Sequence, residues 1–490
     1  MLTLLEDNFP PEKRNEGIHI VGQRGCGKSR LLAQLAINDY QSQIPTVIFD
    51  NGSTIDNFFC RILDRKIDPS RIAWVNMAGT PDHVTPFPLF YRIGRETAFD
   101  ISQRFIEVVS RIDPVLEQAG VMGLNPLWQI ATNAGQILAV LGMQITEMYH
   151  LMYHTAEWKE LFRKAIEFDP SVTQAVDFFT LQYPDWPEQW KASLTRKIMM
   201  FTSNDKFRAI FGASEPVLDW QKIMDENLTV LLDFRTIHNE ELSRFLMQWV
   251  FYSLRDFLLR RGEGQDPISV YVDELSAMFG KGHINLSVDL DFLLNNMMRR
   301  YNLWLTFAHQ DKQFNDDVWN LLLGMGTQVF GRIGIMDTAL HLAKGFFTID
   351  PLKVKRTKLM RKPTIRTDKE GRITQEYMRH IGDVFHIEEE GVEYTIPEQH
   401  YENAEKLKAL PKFAFYIRVA QETKLQHIKT NLNFGLWPSE KPYHIASLKM
   451  NASDRFNRET DLILKEIENR FPTVKKSSPK VKIKGKKLND

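Results

Sequence analysis

Short apolar runs separated by amphipathic stretches are the main pattern of the chain at both of its ends. Strands buried on both faces of a parallel sheet have this continuous apolar character, since helices cover both faces. The pattern therefore predicts an α/β protein with a mostly parallel sheet. The predicted strands lie at 18–21, 46–50, 72–76, 228–233, 268–273, 303–307, 328–333 and 412–419.

The pattern changes between residues 95 and 215, where apolar positions recur every three or four residues. That period is typical of amphipathic helices. One such series predicts a single helix with one apolar stripe. It consists of Ile137, Leu138, Leu141, Ile145, Met148 and Met152. We therefore expect an all-helical insertion that splits the α/β core.

The organisation that follows from these patterns has six segments. The last of them contains a helix and a disordered basic tail, because seven lysines crowd 472–490 beside Ser, Pro and Gly. The predicted segments are 1–95 and 216–350 for the two parts of the α/β core, 96–215 for the helical insertion, 351–400 for a basic and β excursion, 401–450 for the final core strand, and 451–490.

Composition narrows the class of protein. Hydrophobic residues make up 43% and charged residues 25% of the 490 residues, as in ordinary globular proteins. The 62 basic and 62 acidic residues give a net charge of zero, so any polyanion must bind to local patches. Two cysteines exclude a disulfide framework and a four-cysteine zinc site. No apolar run reaches the roughly 18 residues of a membrane span. We expect a cytoplasmic protein without an integral membrane segment.

Gly22-Gln23-Arg24-Gly25-Cys26-Gly27-Lys28-Ser29 fits the phosphate-loop pattern G-x-x-x-x-G-K-[ST] without a mismatch. A strand precedes it and a helix follows, which argues against the alternative of a chance glycine turn. Lys28 can reach the β- and γ-phosphates of ATP, and the Ser29 hydroxyl can hold Mg²⁺. Cys26 fills an unconstrained position more readily than it serves as a redox switch. The predicted nucleotide-binding residues are Gly22, Gly25, Cys26, Gly27, Lys28, Ser29 and Arg30.

Two carboxylates, Asp273 and Glu274, follow the apolar run 268–272. An Asp at the end of a buried strand beside a phosphate loop can hold Mg²⁺, and the next Glu can orient the attacking water. Asp233 also ends an apolar run, but Phe234 and Arg235 follow it instead of a second carboxylate. We therefore predict Asp273 as a metal ligand and Glu274 as the catalytic base.

Two further positions come from the next strand. Gln310 lies just beyond its end, where a polar side chain can sense the γ-phosphate. Arg299 and Arg300 precede the strand. From their spacing alone, they fit helix-end arginines favoured by the helix dipole better than an arginine finger.

The order of these motifs resembles the HerA/FtsK superfamily of DNA-pumping ATPases, most closely the TraG/TraD-type coupling proteins of conjugation and type IV secretion. The blocks that carry the resemblance are the strand and Asp-x-Gly at 47–52, Thr85 to Leu89, Phe201 to Phe211, Val217 to Leu232, Val272 to Leu275, Arg299 to Gln310, and Gly326 to Val329 with Asp337 and Ala339. The chain departs from those proteins in having no membrane helices, and from HerA in having no β-barrel before the phosphate loop.

The resemblance implies a RecA-like core, Arg299 as a finger acting on a neighbouring subunit, and Gln310 as the γ-phosphate sensor. It also implies a ring, usually a hexamer, that threads DNA. We therefore expect an ATP-driven DNA translocase of the conjugation or mobile-element type, with a relaxase, a nuclease or a secretion or packaging complex as partner. The alternatives are a viral genome-packaging ATPase and a nucleotide-switched scaffold that recruits a relaxase or nuclease.

Three weaker signals remain. His150 and His154 are four residues apart with Glu157 nearby, yet without a His-Glu-x-x-His motif they fit surface or core histidines better than a metal site. The acid-free basic run 351–366 suits a solvated loop and a phosphate contact equally. The lysine tail favours non-specific contact with DNA over a role in solubility.

Overall fold

The computed structural model describes residues 9, 11–92, 95–112, 126–279, 290–310, 314–363, 385–422, 425–430, 432, 436–453 and 455–470. The acidic N-terminus before Phe9 and the lysine tail from 472 lie outside the described residues. So does most of the predicted β excursion, from 364 to 384.

A nine-stranded sheet forms the centre of the molecule, in the order β12-β11-β8-β1-β7-β6-β2-β5-β3. From β8 to β3 in this order, neighbouring strands pair in parallel, whereas β11 runs antiparallel to both of its neighbours, β8 and β12. The strands are β1 Ile18–Val21, β2 Thr46–Asp50, β3 Ile72–Asn76, β5 Thr229–Asp233, β6 Ile268–Asp273, β7 Leu303–His309, β8 Thr327–Phe330, β11 Ala414–Arg418 and β12 Gln426–Lys429.

The predicted strands are confirmed, and so is the α/β fold class. Every residue of β1, β2, β5, β6, β7 and β8 is buried, which is why these strands appear as unbroken apolar runs rather than alternating ones. Strand β7 continues two residues beyond the predicted end, and β8 stops three residues earlier. The short strand β12 was missed because three of its four residues are exposed and polar.

Helices cover both faces of the sheet. The phosphate loop leads into α2 (Lys28–Gln41), and α3 (Thr54–Arg65) packs against it in one hydrophobic cluster. The helices outside the insertion are α1 Pro11–Arg14, α2 Lys28–Gln41, α3 Thr54–Arg65, α11 Trp220–Asp225, α12 Glu240–Arg261, α13 Leu275–Phe279, α14 Met298–Arg300, α15 Asp316–Leu323, α16 Met336–Phe346, α17 Ile396–Lys408, α18 Pro442–Ser453 and α19 Thr460–Arg470, with a π-helix at Leu293–Met297 and a 3₁₀ turn at Pro438–Glu440.

Between β4 (His83–Val84) and β5 the described residues form helices and no strand, which confirms the helical insertion. Buried aromatic side chains fill its core, where Phe201 and Phe211 contact each other and both pack against Phe245 of α12, outside the insertion. Its helices are α4 Ala98–Ile112, α5 Pro126–Val140, α6 Ile145–Tyr153, α7 Lys159–Phe168, α8 Thr173–Asp177, α9 Glu188–Thr202 and α10 Asp205–Gly212, with 3₁₀ turns at Thr155–Trp158, Pro170–Val172 and Tyr183–Asp185 and a π-helix at Phe178–Gln182.

The prediction of one helix through Ile137 to Met152 is wrong. Helix α5 ends at Val140 and α6 begins at Ile145. Gly142 adopts a φ of 65° between them, and Gln144 with Glu147 forms a capping box that starts α6. The apolar period continues across the break because the apolar residues of both helices pack into the same hydrophobic core.

Two smaller features lie outside the main sheet. Strand β9 (Val354–Pro363), which contains most of the basic run, pairs antiparallel with β10 (Phe385–Glu393). Strand β13 (Arg458–Glu459) pairs with β4.

The C-terminal strap, defined as residues 442–470, contacts both the core and the insertion. Lys449 of α18 forms an ion pair with Asp56. At the other end, Arg470 of α19 donates a hydrogen bond to the Gly212 carbonyl and lies 3.7 Å from Glu147. The six segment boundaries stay predictions. No helix among the described residues is both long and apolar enough to cross a membrane.

Candidate active site

The candidate site lies at the carboxyl edge of the sheet, which we define as the edge where the parallel strands end. Strand β1 leads into the phosphate loop (22–29), and β7 lies between β1 and β6. The last residues of β6 and β2, Asp273 and Asp50, are direct partners in the register. This order brings residues far apart in sequence to one edge.

The phosphate loop has the backbone that its glycines permit. Gly25 and Gly27 adopt φ angles of 82° and 116°, which favour glycine. A β-carbon at Gly22 would lie 2.9 Å from the Cys26 sulfur, so this position is also closed to larger residues. Lys28, at the start of α2, donates hydrogen bonds to the carbonyls of Gly22 and Gln23 at 2.5 and 3.3 Å. These carbonyls hold the ammonium group over the loop.

A hydrogen-bonded cluster joins the loop to β6. The Ser29 hydroxyl donates to Asp273 Oδ2 at 2.9 Å, and the Thr54 hydroxyl donates to the same oxygen at 2.8 Å. A β-carbon at Gly52 would lie 2.6 Å from that oxygen, so only glycine leaves room for it. Hydroxyl and carboxylate oxygens are the ligands that Mg²⁺ prefers. Ser29 and Asp273 therefore fit a magnesium ion between them.

Asp50 adds a second buried carboxylate to this cluster. Its oxygens accept hydrogen bonds from the backbone N–H groups of Gly52 and Ile55, both at 2.8 Å. Burial and the neighbouring charge of Asp273 raise the pKa of Asp50 to about 7, although Arg235 opposes the shift. Two buried carboxylates side by side are the arrangement that a divalent cation stabilises.

Glu274 and Gln310 meet at the ends of β6 and β7. The Gln310 amide donates to Glu274 Oε2 at 2.9 Å, and the Ser276 hydroxyl donates to Glu274 Oε1 at 2.7 Å. Glu274 has a φ of 73°, held by the hydrogen bond from its N–H to the Ala308 carbonyl. A non-glycine residue in the left-handed region costs about 1–3 kcal/mol and is typical of functional sites. The strained backbone aims this carboxylate along the edge.

The structure separates the two candidate aspartates. Asp233 ends β5, which lies two strands away from β6, and forms an ion pair with Arg235 at 2.5 Å. Lys449 also lies 3.7 Å from Asp233. Asp273, and not Asp233, contacts Ser29.

Arg299 is not brought together with the other predicted residues. It precedes β7, and that strand spans roughly 20 Å from Leu303 to His309. Its side chain is 68% exposed and lies 3.5 Å from Glu16. Within one chain, Arg299 and the phosphate loop therefore lie at opposite edges of the sheet.

Arg30 and Cys26 have structural surroundings. The Arg30 guanidinium donates to Asn57 Oδ1 and to the carbonyls of Leu432 and Leu436, and stacks 3.6 Å from the centre of the Trp437 ring. Its side chain thus ties α2 to the C-terminal region, while its backbone stays in the loop's helix. Cys26 is buried, and burial raises the pKa of its thiol, which opposes a redox role.

His150, His154 and Glu157 form a cluster whose ligand atoms lie within 4.8 Å of one another. The Trp158 indole donates to His150 Nδ1 at 2.9 Å, so the proton of a neutral His150 ring sits on Nε2, 3.3 Å from Glu157. A histidine that binds a metal normally donates its other ring N–H to an acceptor. Here that other nitrogen faces a donor, so the cluster fits hydrogen bonding better than a metal ion, as the sequence indicates.

Sequence reasoning missed the roles of Asp50 and Thr54 beside Asp273. The signal was present in the strand ending Asp-x-Gly at 50–52, but lateral strand order decides which carboxylate is the neighbour.

Comparisons with known proteins bear on the fold. No protein-family model matches the sequence, and no curated protein matches it. Among solved structures, the bacterial conjugative coupling protein TrwBdeltaN70 in an unbound form is similar with a TM-score of 0.54, 14% identity and 86% of each chain covered. The plasmid coupling protein TrwB in complex with the non-hydrolysable ATP analogue ADPNP is similar with a TM-score of 0.50, 14% identity and coverage of 86% of this chain and 87% of that one. The complex of TrwB with ADP and Mg²⁺ gives the same values. The chain therefore has the fold of the TrwB coupling protein, as the resemblance to the TraG/TraD-type branch predicts.

Proposed function

We propose that this protein hydrolyses ATP at the carboxyl edge of its sheet. The observation that carries the proposal is the 2.9 Å hydrogen bond between Ser29 of the phosphate loop and Asp273 of β6. The hydroxyl of the phosphate loop and a buried carboxylate lie close enough there to bind one metal ion, and Glu274 lies beside them. The fold supports the proposal, because the similar TrwB structures were determined with ADPNP and with ADP and Mg²⁺.

Each residue has a separate part in this reaction. Backbone N–H groups of the loop and the start of α2 bind the phosphates, and Lys28 supplies positive charge to the β- and γ-phosphates. Ser29 and Asp273 hold Mg²⁺, which neutralises phosphate charge when bound. Glu274 orients the attacking water and accepts its proton. Gln310, hydrogen-bonded to Glu274, lies where it can respond to the γ-phosphate.

The position of Arg299 supports action between subunits. An arginine at the amino edge cannot reach the phosphate loop of its own chain, roughly 20 Å away across β7. In a ring, that edge of one subunit faces the carboxyl edge of the next. Arg299 then stabilises the transition state in its neighbour, with a homohexamer as the assembly.

In this proposal, ATP hydrolysis drives DNA translocation of the conjugation type. A motor must step along any sequence, so it holds phosphates and ignores base edges. The net charge of zero leaves local patches as the contacts, and the chain offers two, the basic run of β9 and the lysine tail.

The first test replaces Glu274 by Gln, with the exposed Glu160→Gln as control. Loss of the base should slow hydrolysis by about 10²- to 10⁴-fold while ATP still binds. Rates are measured with and without DNA, alongside the mass of the particle. Normal hydrolysis by Glu274→Gln contradicts the assignment of the base, and a rate that DNA leaves unchanged contradicts translocation.

The second test deletes 472–490 and compares salt titrations of DNA binding on two unrelated sequences. Each phosphate that the tail neutralises should contribute about 0.7 to 0.9 to the slope of log affinity against log salt, so the deletion should flatten that slope and leave basal ATPase intact. An unchanged slope would show that the tail does not contact DNA. A strong preference for one sequence contradicts a general motor.

A further inference from the structure

A buried chain of polar side chains lies across strands β8, β1 and β7, directly behind Gln310. Gln328 Oε1 lies 2.7 Å from His19 Nδ1, and His19 Nε2 lies 2.8 Å from His309 Nε2. His309 Nδ1 lies 2.9 Å from the Gln310 carbonyl oxygen. All three of Gln328, His19 and His309 are fully buried. Polar groups without solvent must satisfy one another, so the positions of their protons can be worked out.

Gln328 fixes the direction of hydrogen-bond donation along this row of side chains. Its amide nitrogen donates to the carbonyls of Leu322, Leu323 and Met325 at 2.8–3.0 Å, so its oxygen faces His19 as an acceptor. His19 Nδ1 must therefore carry a proton. Burial, followed by the charge of His309, lowers the pKa of His19 to about 3, so this ring is neutral and its Nε2 is an acceptor. It follows that His309 Nε2 carries the proton between the two rings.

The same direction of donation decides whether the other ring nitrogen of His309, Nδ1, can bond to Gln310. The Gln310 carbonyl oxygen is again an acceptor, so His309 Nδ1 needs a proton of its own to hold it. A ring protonated on Nε2 alone points a lone pair at that oxygen and repels it. Holding Gln310 therefore requires both ring nitrogens of His309 to be protonated.

We propose that His309 is a positioning residue for Gln310, and that it holds the Gln310 carbonyl only when both of its ring nitrogens carry protons. The inference rests on the proposed function, because the Gln310 amide in turn bonds the proposed base Glu274. The Nδ1 proton of His309 then determines whether Gln310 and Glu274 are held in place at the phosphate site.

The surroundings of His309 are consistent with this role. A titratable group, His19 of β1, is in contact with it, and the rings of Phe314 and Trp319 pack edge-on against it. The first N–H of the phosphate loop, at Gly22, faces the His309 carbonyl at 3.4 Å. His309 therefore touches both the strand end that carries Gln310 and the start of the loop.

The test is a pair of substitutions, each of which keeps a different contact of His309. In His309→Asn the side-chain amide takes the place of Nδ1 and still donates to the Gln310 carbonyl. In His309→Gln the amide takes the place of Nε2 and keeps the contact with His19 instead. We expect His309→Gln to lower kcat about tenfold, the value of one hydrogen bond to a charged group, with the Kd of a non-hydrolysable ATP analogue unchanged. His309→Asn should stay near the wild-type rate.

The opposite order, or equal losses in both variants, overturns the inference, because a purely structural histidine would favour the variant that satisfies His19. Thermal unfolding of both variants checks that they fold. The pH profile adds a readout that packing does not move. Wild-type kcat should fall as rising pH removes the second proton of His309, whereas the profile of His309→Asn should lack that fall, and identical profiles overturn the inference.

Nitrogen NMR of the nucleotide-free protein labelled with ¹⁵N-histidine tests the proton positions without activity, with His309→Asn assigning the signal. The ring should lose its Nδ1 proton and retain its Nε2 proton as pH rises. A neutral ring protonated on Nδ1 overturns the inference. If the wild type hydrolyses no nucleotide, the proposed function fails, and this spectrum still decides the proton positions.

Discussion

The two edges of the central sheet carry different chemistry on the same strands. At the carboxyl edge, Asp50, Asp273 and Thr54 are buried in one hydrogen-bonded cluster beside the phosphate loop. At the amino edge, Arg299 is mostly exposed and borders an open cavity with Glu16. One edge gathers buried carboxylates that favour a cation, whereas the other exposes Arg299 beside the carboxylates of Glu16, Asp291 and Asp317, which line the same cavity.

Under the proposed function, this difference between the edges makes a single chain an incomplete catalyst. A β-strand is rigid and of fixed length, so the two edges cannot approach each other within one subunit. The proposed ring would bring Arg299 of one subunit to the phosphate site of the next. Substitutions at the two edges separate their roles, from the largest expected effect to the smallest.

Replacing Lys28 by Ala should have the largest effect, because it removes the carboxyl edge's cation at the phosphates. We expect loss of nucleotide binding or hydrolysis, measured by binding of a labelled ATP analogue and by phosphate release. The exposed Lys344→Ala serves as the matched control. If Lys28→Ala still bound the ATP analogue tightly and still hydrolysed ATP, the phosphates would bind elsewhere.

Replacing Arg299 by Ala should lower the ATPase rate by about 10³-fold or more, as expected for an arginine finger. Arg300, also at the amino edge and 62% exposed, provides the matched control. Rings mixed from Arg299→Ala and Lys28→Ala subunits should regain some activity, because they contain intact composite sites. A fully active monomer, or no recovery on mixing, would place the finger elsewhere.

His19 should make the folded protein sensitive to acid. The folded ring stays neutral down to a pKa of about 3, whereas the unfolded ring takes up a proton near its ordinary pKa of 6.5. Stability is therefore lost as pH falls from about 6.5 towards 3, and between pH 7 and 5 the loss amounts to about 2 kcal/mol. Urea unfolding of the wild type and of His19→Asn at both pH values measures it as the difference between the two proteins, because Asp50, whose pKa is raised to about 7, contributes in the opposite direction. The His19→Asn protein should lack this loss, and the exposed His444→Asn protein should retain it.

Replacing Glu16 by Gln should have the smallest effect. Its partner Arg299 is mostly exposed, and such ion pairs contribute about 0–1 kcal/mol. Gln can still accept the hydrogen bond that Glu16 receives from Gln421. A double-mutant cycle with Arg299→Ala, read by urea unfolding, gives the coupling energy. A coupling well above this range would mean that the amino edge is pre-organised as tightly as the carboxyl edge.

Local patterns predicted most of the strands and the phosphate loop, because a fully buried strand and a glycine turn each have a sequence pattern only a few residues long. The break between α5 and α6 was missed, since the apolar period continues across Gly142 and hides the φ of 65°. The contacts of Asp273 could not be predicted, because Thr54 and Asp50 become its neighbours only through strand order. The proton order of His19 and His309 likewise depends on atoms of three strands.

The C-terminal strap has a consequence for how the chain is made. Arg470 bonds the carbonyl of Gly212 across 258 residues of sequence, and α19 packs on α10 of the insertion. Contacts of such long range are slow to form, since the closure of a long loop must precede them. A ribosome adds about 5–20 residues per second, so the insertion waits many seconds with that surface uncovered while the second half of the core is synthesised. The helix that closes the insertion is therefore synthesised 258 residues after the surface that it covers.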